Sequence, residues 1–335
     1  MSPTVADLSE SALLDIILPR LLATASEESD VVLVGPGDDA AVLSVPDSRL
    51  VISIDTQVQD MDFRLQWPNG YRTTGFNVGW KAAAQNLSDI NAMGGRGTSM
   101  VVSLTLPGNT KVSWVEDLAD GLAAAIRELG ANDCQVVGGD LGAGREIVVT
   151  AAVTGSLEGR EPVLRTGARP GDIVALAGTV GRAAAGLAIL ESSRSMESLG
   201  ADAVELVTNQ LQPWPPLGAG PAAATAGATA MLDISDGLIR DAQRLAAASG
   251  VTVDFDPEAL AKLKNPLEST GKLLGIDPMN WVLGGGEDHG LLATFSQGVD
   301  LPEQFVVIGV VGAGPAGVTI DSQPPTIFGW DHFAG

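Results

Sequence analysis

Acidic residues stand directly beside short apolar runs at several places in this sequence. One apolar run leads into Asp55, and the motif Gly35-Pro-Gly-Asp-Asp39 precedes another. Similar contexts surround further acids, namely Asp89, Asp140, Asp233 and Asp236. A carboxylate beside a strand adds little to a core, but it can ligate a hard cation that also binds phosphate oxygens. The pattern therefore predicts a cluster of oxygen ligands.

Taken singly, these acids have ordinary explanations. Adjacent carboxylates in a glycine loop are more often a solvated turn, and Asp140, Asp233 and Asp236 also suit turns or helix N-caps. Their recurrence in one kind of context favours a shared role. If they converge, two like charges ~4 Å apart cost about 4 kcal/mol at an effective dielectric of about 20, so a divalent cation must offset the repulsion. Oxygen ligands that leave space for phosphate favour Mg²⁺ over Ca²⁺.

A helix and a loop are expected to position part of this cluster. Apolar residues at helical spacing predict a helix over residues 76–93, with Lys81, Gln85 and Asp89 on another shared face. That face can point an acid at a neighbouring strand end. The polar, turn-rich residues 59–75 before this helix predict a mobile loop over the site.

Strands and caps are expected to position the remaining acids. The sequence predicts a short strand that ends at Asp55. It also predicts a strand over residues 135–137, which is followed by a loop that contains Gly138-Gly139-Asp140. Ser113 with Glu116 has the spacing of a capping box. Ser235 or Asp236 is suited to cap a helix that ends at Gly250.

The chain is expected to form two α/β (α+β) domains. Strands and helices alternate up to about residue 155, which is enough for one complete domain. With 335 residues, the chain exceeds the usual size of one core. The expected division is residues 1–155 and residues 156–335, with a turn-rich joint at residues 165–172.

Composition excludes several classes of function. A net charge of −22, from 19 basic and 41 acidic residues, would repel nucleic acids and anionic membranes. The lone cysteine, Cys134, excludes an intrachain disulfide and a cysteine-based zinc site. The first long apolar stretch is interrupted by Asp15 and Pro19 and lacks a basic flank. These features predict a cytoplasmic protein without a membrane span.

Common nucleotide-binding motifs do not explain the sequence. Gly312-Ala-Gly-Pro-Ala-Gly317 matches a dinucleotide fingerprint by letter, but it lies too close to the C-terminus for the required helix and ribose-binding acid. We interpret it as a hairpin turn. The sequence has no Walker motif.

A series of motifs occurs in the order typical of one enzyme family. They are Gly37-Asp-Asp-Ala-Ala41, Ser53-Ile-Asp-Thr56, Asn86-Leu-Ser-Asp-Ile-Asn-Ala-Met-Gly94, Gly138-Gly-Asp140, Arg165-Thr-Gly-Ala-Arg-Pro-Gly-Asp172, Asp233-Ile-Ser-Asp-Gly-Leu238, Gly285-Gly-Glu-Asp288 and Gly329-Trp-Asp-His-Phe333. Over about residues 30–333 the chain resembles the thiamine-monophosphate kinases of the aminoimidazole ribonucleotide synthetase superfamily.

The resemblance implies a fold and a reaction. The implied fold has mixed sheets covered by helices in two domains, with the N-terminal sheets pairing in a homodimer. Domain 1–155 would bind ATP and Mg²⁺ and dimerise, and domain 156–335 would complete the active site. The implied reaction moves the γ-phosphoryl group of ATP to thiamine monophosphate, giving thiamine diphosphate in the last step of its biosynthesis.

The resemblance also implies roles for individual residues. The implied ligands of several Mg²⁺ ions are Asp39, Ser53, Asp55, Asp89, Asp140, Asp233 and Asp236. The implied ATP contacts are Gly139, Asp140, Arg165 and Ser235, and the substrate-side residues are Asp62, Glu287 and Trp330. The implied catalytic residues are Asp55, Asp140 and Arg165.

These residue types suit transfer between two phosphates. Metals on fixed carboxylates can neutralise both anions, and the attacking oxygen is already ionised, so no general base is required. Trp330 suits stacking on the cationic thiazolium or the pyrimidine ring. Glu287 suits accepting a hydrogen bond from the aminopyrimidine, with Asp288 as the alternative.

The sequence departs from the family at two positions. Asp62 stands where the family has a substrate-binding His, and Ile54 replaces a Thr that supplies a hydroxyl ligand. Two rival hypotheses stay open, a sister enzyme of the superfamily and a non-catalytic sensor of thiamine phosphate or nucleotide. Selenophosphate synthetases carry a reactive Cys or selenocysteine near the N-terminus, and hydrogenase-maturation relatives end in Cys; neither feature is present.

Overall fold

The structure is a computed structural model that describes residues 3–22, 31–36 and 40–330. The chain packs as two units, Met1–Ile90 with Gly95–Gly159, and Asn91–Gly94 with Arg160–Gly335. The expected Asp38-Asp39 motif and the tail at residues 331–335 lie outside the described residues. None of the helices in the described ranges has the length and apolarity needed to cross a membrane.

Unit 1 is an α/β unit built on a four-stranded sheet. Its described elements are α1 (Glu10–Leu22), β1 (Val32–Val34), β2 (Val42–Leu43), β3 (Val51–Val58), α2 (Gly75–Ala92), β4 (Arg96–Leu106), α3 (Val112–Glu128), β5 (Gln135–Ala143) and β6 (Val148–Ser156). The sheet has the order β3-β6-β4-β5, while β1 and β2 form a separate ribbon. β4 and β5 run parallel, and β6 is antiparallel to both β3 and β4.

Glycines allow α2 and α3 to pack backbone against backbone. A Cβ atom on Gly79 would overlap the main-chain oxygen of Leu118, and one on Gly121 would overlap that of Phe76. α2 also lies against the sheet, because Ile90 occupies the space beside Gly155 of β6. These close approaches fix the height of α2 above the sheet.

Strand β3 has two chemically different faces. Its side chains alternate between partly buried and exposed up to Thr56. The exposed face carries Ile52 and Ile54, which are 68% and 63% accessible, and Val101 of β4 is also exposed. Ile54 of β3 and Val101 of β4 are both in register with Ala152 of the intervening strand β6, so they share one face of the sheet. The open patch that they form with Ile52 is here called the apolar sheet face.

Unit 2 is built on a six-stranded mixed sheet. Its described elements are β7 (Ile173–Ala177), α4 (Arg182–Glu191), α5 (Ala201–Leu211), α6 (Ala219–Thr225), β8 (Ala230–Ile234), α7 (Leu238–Ser249), β9 (Thr252–Phe255), α8 (Pro257–Lys264), α9 (Glu268–Leu274), α10 (Met279–Gly284), β10 (Gly290–Phe295), β11 (Phe305–Gly312) and β12 (Gly317–Ile320). The strand order is β12-β9-β11-β7-β10-β8. Core residues include Met231, Phe295 and Phe305, whose two phenyl rings meet edge to face at 5.3 Å.

Three local expectations are wrong. Residues 312–317 connect β11 to β12, but no hairpin forms because both strands pair with β9 instead of with each other. Ser113 lies inside α3, whose N-cap residue is Lys111, so the expected capping box is absent there. Ser235 and Asp236 do not cap α7, which begins after Gly237 without a side-chain cap.

Candidate functional site

Helix α2 and strand β3 are joined by polar contacts in unit 1. Ser53 donates from Oγ to Asp89 Oδ2 at 2.5 Å. Four residues further along the strand, Gln57 donates from Nε2 to Gln85 Oε1 at 3.0 Å. The shared polar face predicted for α2 is therefore confirmed, and it lies over β3.

Asp55 lies within β3 and not at its end, so that expectation is wrong. The strand continues to Val58 because these residues pair with β6 in a regular antiparallel register. Side chains alternate along a strand, so Asp55 projects from the same face as Ser53, toward α2. Ile54 projects from the opposite face and is exposed. A Thr at position 54 would therefore face away from α2, so the presence of Ile there removes no hydroxyl from the side that carries Ser53 and Asp55.

The segment between β3 and α2 is anchored and does not form the expected mobile loop. Phe63 and Trp67 are buried, and Trp67 Nε1 donates to Thr73 Oγ1 at 2.9 Å. The Asp62 carboxylate accepts the main-chain N–H of Val58 at 2.7 Å, which closes the turn after β3. The buried Lys81 Nζ lies 3.4 Å from the main-chain oxygen of Asp62.

Asp140 lies within a strand, although a loop was expected. β5 continues through Gly138 and Gly139 to Ala143 by pairing with β4, after a shift in register. Asp140 is in register with Ser103, Thr150 and Thr56. Cross-strand partners share a face, so Asp140 projects from the apolar sheet face. Two strands separate β5 from β3, which places these edge strands about 14 Å apart.

The candidate site residues described in unit 1 thus lie on two different faces of the sheet. Ser53, Asp55 and Asp89 share the α2 side of β3, and Asp140 belongs to the other face at the far edge. Gly139, beside Asp140, has no room for a side chain, because a Cβ would overlap the main-chain oxygen of Val102.

The acids on the α2 side provide oxygen ligands suited to Mg²⁺. Ser53 Oγ and the Asp89 carboxylate are hard donors 2.5 Å apart. In the part of the chain that the structure describes, no three His, Cys, Asp or Glu side chains lie close enough to hold an ion. Mg²⁺ at phosphate sites uses one or two carboxylates and completes its shell with water and phosphate oxygens. The donor chemistry therefore fits this ion without a preformed cage.

Four candidate residues of unit 2 lie together at the loop that follows β8, namely Ser235, Asp236, Glu287 and Trp330. The main-chain oxygen of Ser235 accepts the N–H of Glu287 at 2.9 Å, and that of Asp236 accepts the N–H of Trp330 at 2.8 Å. A side chain at Gly329 would overlap the main-chain oxygen of Asp236. Trp330 is 61% exposed, so its indole can meet a ligand while its backbone is fixed.

Asp236 is paired with arginines of α7. Its carboxylate lies 2.5 Å from Arg244 and 3.8 Å from Arg240. Arg244 also binds the buried Asp241 at 2.5 Å, and Asp241 accepts the N–H of Asp236 at 2.9 Å. Burial raises the pKa of Asp241 to about 6. These contacts fix the loop after β8, and they already offset the charge that a metal would otherwise balance.

Asp233 is buried beside a histidine. Its Oδ2 lies 3.2 Å from His289 Nδ1, and both side chains are largely buried. His289 also has a positive φ of 54°. The two residues of this contact are 56 positions apart, so no local pattern in the sequence indicates a role for His289.

Asp288 has a structural role, which favours Glu287 as the substrate-side acid. Asp288 accepts from Thr179 Oγ1 at 2.9 Å and from the N–H groups of Arg182 and Ala183 at 3.2 Å, so it caps α4. Burial raises the pKa of Asp288 to about 6. Glu287 is only partly buried and has a φ of 66°, a strained conformation of the kind found at functional sites.

Arg165 is not brought to this loop by unit 2. Its main-chain oxygen accepts from Ser249 Oγ at 2.9 Å, at the far end of α7. The neighbouring Leu164 accepts the N–H of Met231, near the start of β8. The loop at Ser235 lies about 13 Å further along that strand.

Comparisons with known proteins agree with these motifs over nearly the whole chain. Residues 37–157 match the family "AIR synthase related protein, N-terminal domain", and residues 169–322 match "AIR synthase related protein, C-terminal domain". The thiamine-monophosphate kinase of Mycobacterium tuberculosis is 43% identical over 333 residues, covering 99% of this chain and 94% of the relative. That of Corynebacterium glutamicum is 36% identical over 342 residues, covering 99% and 95%.

Solved structures give the same assignment. A structure described as AaThiL complexed with AMPPCP and TMP has a TM-score of 0.76 and 32% identity, covering 98% of both chains. Thiamine-monophosphate kinase from Stenotrophomonas maltophilia has a TM-score of 0.77 and 31% identity, covering 95% of this chain and 98% of that one. The hydrogenase maturation protein HypE, at 17% identity and a TM-score of 0.66, shares the fold. By its motifs, its fold and its full-length similarity, this chain belongs to the thiamine-monophosphate kinase family.

Proposed function

We propose that this chain phosphorylates thiamine monophosphate with ATP, giving thiamine diphosphate and ADP. The observation that carries the proposal is the 43% identity to a thiamine-monophosphate kinase over 99% of the chain. The geometry supports it, because each unit places candidate residues on a defined element. We also propose that the reaction occurs in the cytoplasm, where ATP is supplied.

The reaction exchanges one phosphorus–oxygen bond for another. A phosphate oxygen of thiamine monophosphate bonds to the γ-phosphorus of ATP, and the bond from that phosphorus to the β-bridging oxygen breaks, releasing ADP. The attacking oxygen is already ionised, so no residue has to remove a proton. The protein's task is to position two anions and offset their charge.

Unit 1 would supply the main ligands for magnesium. Ser53, Asp55 and Asp89 share the α2 side of β3, with Asp39 as a further candidate. When bound there, Mg²⁺ offsets the phosphate charge and aligns the reacting groups. Rigid placement on a strand and a helix favours precise orientation of these oxygens.

Unit 2 would supply contacts to nucleotide and substrate. The loop after β8 offers Ser235 and Asp236, with Asp233 buried just before it, while Glu287 and Trp330 are tied to this loop through their main chains. We assign Trp330 to stacking on a ring of the substrate and Glu287 to accepting from its amino group. Asp62, whose carboxylate closes a turn, and Arg165 are weaker candidates on this geometry.

We further propose a homodimer that covers the apolar sheet face. Exposed Ile52 and Ile54 on a regular sheet are typical of an interface. Light scattering should find a dimer for the native chain and a monomer for Ile54→Glu. Val306→Glu, on an exposed apolar position of unit 2, is the matched control and should stay dimeric. A native chain that is monomeric at micromolar concentration would contradict this interface.

Asp140 gains a specific role in such a dimer. It projects from the apolar sheet face, away from Asp55 and Asp89, so we propose that it acts on the nucleotide bound by the partner copy. This arrangement reconciles an implied ligand role for Asp140 with its position at the far edge of the sheet.

A direct assay tests the reaction. The chain is incubated with ATP, Mg²⁺ and thiamine monophosphate, and products are separated by chromatography. Equal amounts of ADP and thiamine diphosphate are expected. Nucleotide hydrolysis without thiamine diphosphate would contradict the kinase proposal, and binding without turnover would favour a sensor.

A further inference from the structure

Helix α5 brings a buried amide to the substrate-side acid of unit 2. Gln210 lies near the end of α5 and is only 3% exposed. The helix can approach α4 closely because Gly186 has no side chain, and a Cβ there would overlap the main-chain oxygen of Leu206 and lie 3.0 Å from the Gln210 Cβ. A larger residue at position 186 would move α5, and Gln210 with it, away from the site.

The contact between Gln210 and Glu287 is short and has a fixed direction. Gln210 Nε2 lies 2.5 Å from Glu287 Oε2. An ionised carboxylate only accepts hydrogen bonds, so the NH₂ end of the amide must face it. Hydrogen bonds to a charged acceptor are the stronger kind.

The oxygen of the Gln210 amide, Oε1, indicates that this residue is not there only to fill space. Its Oε1 is fully buried and accepts no hydrogen bond from the described protein atoms. A buried acceptor of this kind is costly, and an apolar side chain of similar size would avoid that cost. The amide is therefore best explained by the hydrogen bond that it donates to Glu287.

Glu287 is held at its backbone as well as at its carboxylate. It follows three glycines, has a φ of 66°, and donates its N–H to Ser235. The next residue, Asp288, is fixed by its contacts with α4. Because its carboxylate is also held by Gln210, the long side chain of Glu287 is preorganised in one orientation for binding a ligand.

We propose that Gln210 is a positioning residue that orients Glu287 to accept from the amino group of the substrate's pyrimidine ring. This inference rests on the proposed kinase function. It assigns specificity for an amino group to the pair of residues, and it predicts poor use of oxythiamine monophosphate, in which a carbonyl replaces that amino group.

Kinetics of Gln210→Leu test the proposal. Leu is similar in size and removes only the amide, so we expect KM for thiamine monophosphate to rise roughly tenfold or more, with KM for ATP unchanged and kcat nearly unchanged. Preference over oxythiamine monophosphate should fall by the same factor. The thermal midpoint should be unchanged or higher, because an unpaired buried acceptor is removed. Glu205→Gln on the same helix α5, which removes an exposed ion pair with Arg182, is the control. Exposed ion pairs contribute little, so this variant should leave all constants unchanged.

A double-mutant cycle separates positioning from general structure. If Gln210 acts through Glu287, adding Gln210→Leu to Glu287→Gln should not raise KM further. Additive effects of the two changes, or an unchanged KM in Gln210→Leu, would overturn the inference while native turnover still supports the kinase. Absence of thiamine diphosphate from the native chain would instead contradict the proposed function.

Discussion

At the scale of single residues, the contact between Ser53 and Asp89 shows most clearly how the proposed metal ligands are arranged. A hydroxyl on a strand and a carboxylate on a helix meet at 2.5 Å, and Asp55 projects from the same side of that strand. Ser53 and Asp89 would hold Mg²⁺ together with Asp55, and the bound ion would offset the charge of the phosphates.

Replacing Asp55 with Asn tests that arrangement. Asn keeps the shape but removes the charge, so we expect kcat to fall by about 100-fold or more, as when a group that stabilises transition-state charge is lost. Circular dichroism and the thermal midpoint should be unchanged. Asp47→Asn, in a turn of the same unit, is the control for the loss of one negative charge. Native activity in Asp55→Asn would show that this residue is not a ligand.

The raised pKa of Asp288 predicts how the free energy of unfolding depends on pH. Its folded pKa of about 6 is raised above the ordinary value of 3.8 by burial. The folded state therefore binds the proton more tightly, so this group's favourable contribution is present below pH 4 and is lost as pH rises through 6. The shift in the pKa of Asp288 corresponds to a contribution on the order of 3 kcal/mol to the free energy of unfolding.

Urea unfolding at several pH values checks this prediction. The free energy of unfolding of the native chain should fall between pH 4 and pH 7 relative to that of Asp288→Asn, which cannot titrate. The difference cancels the contributions of other acids, including Asp241. Parallel pH profiles for the two proteins would show that the pKa of Asp288 is not raised.

At the scale of elements, the position of α2 decides where its polar face lies. Close packing of Gly79 against Leu118 leaves no room for a methyl group. We expect Gly79→Ala to destabilise unit 1 by about 2–3 kcal/mol, as for other overpacked sites. It should also lower kcat, because Asp89 moves with the helix. Gly218→Ala, where the added methyl group meets open space, is the control for the substitution itself.

The polar face of α2 could be predicted from the sequence because it depends only on the spacing of residues within the helix. Residues spaced by four positions share a helix face wherever the helix packs, so the alignment of Gln85 and Asp89 could be predicted. Helix α5 carries a similar signal in Ala203, Leu206 and Val207, which are buried at helical spacing, but no helix was predicted over these residues.

The faces occupied by Asp55 and Asp140 could not be predicted in the same way. Both depend on how far β3 and β5 continue, which is set by pairing with distant strands. A register shift between Met100 and Val101 also determines the direction of Asp140. A shift of one residue moves a side chain to the other face of a sheet, and this chain's glycines suggested a loop instead.

At the scale of the whole molecule, the proposed dimer makes a prediction about Asp140. If Asp140 serves the partner's nucleotide, a mixed dimer of Asp55→Asn and Asp140→Asn chains retains one complete site. An equimolar, co-refolded mixture should recover about a quarter of native activity, because half of the dimers are mixed and each has one intact site.

Two controls give the mixed-dimer experiment its meaning. Each variant refolded alone should be nearly inactive, and mixing without subunit exchange should recover nothing. If Asp140 instead acts on the nucleotide of its own chain, every site in the mixed dimer lacks one residue. No recovery in verified mixed dimers would therefore exclude the proposed role across the dimer.

Transfer of labelled phosphate to thiamine monophosphate tests the proposed function most directly. ATP labelled at the γ-phosphorus is incubated with the purified chain, Mg²⁺ and thiamine monophosphate. If the chain is a thiamine-monophosphate kinase, the label should appear in thiamine diphosphate in an amount equal to the ADP formed, and chelating Mg²⁺ should stop the transfer. Label released only as inorganic phosphate, or no dependence on a divalent cation, would contradict the proposed function.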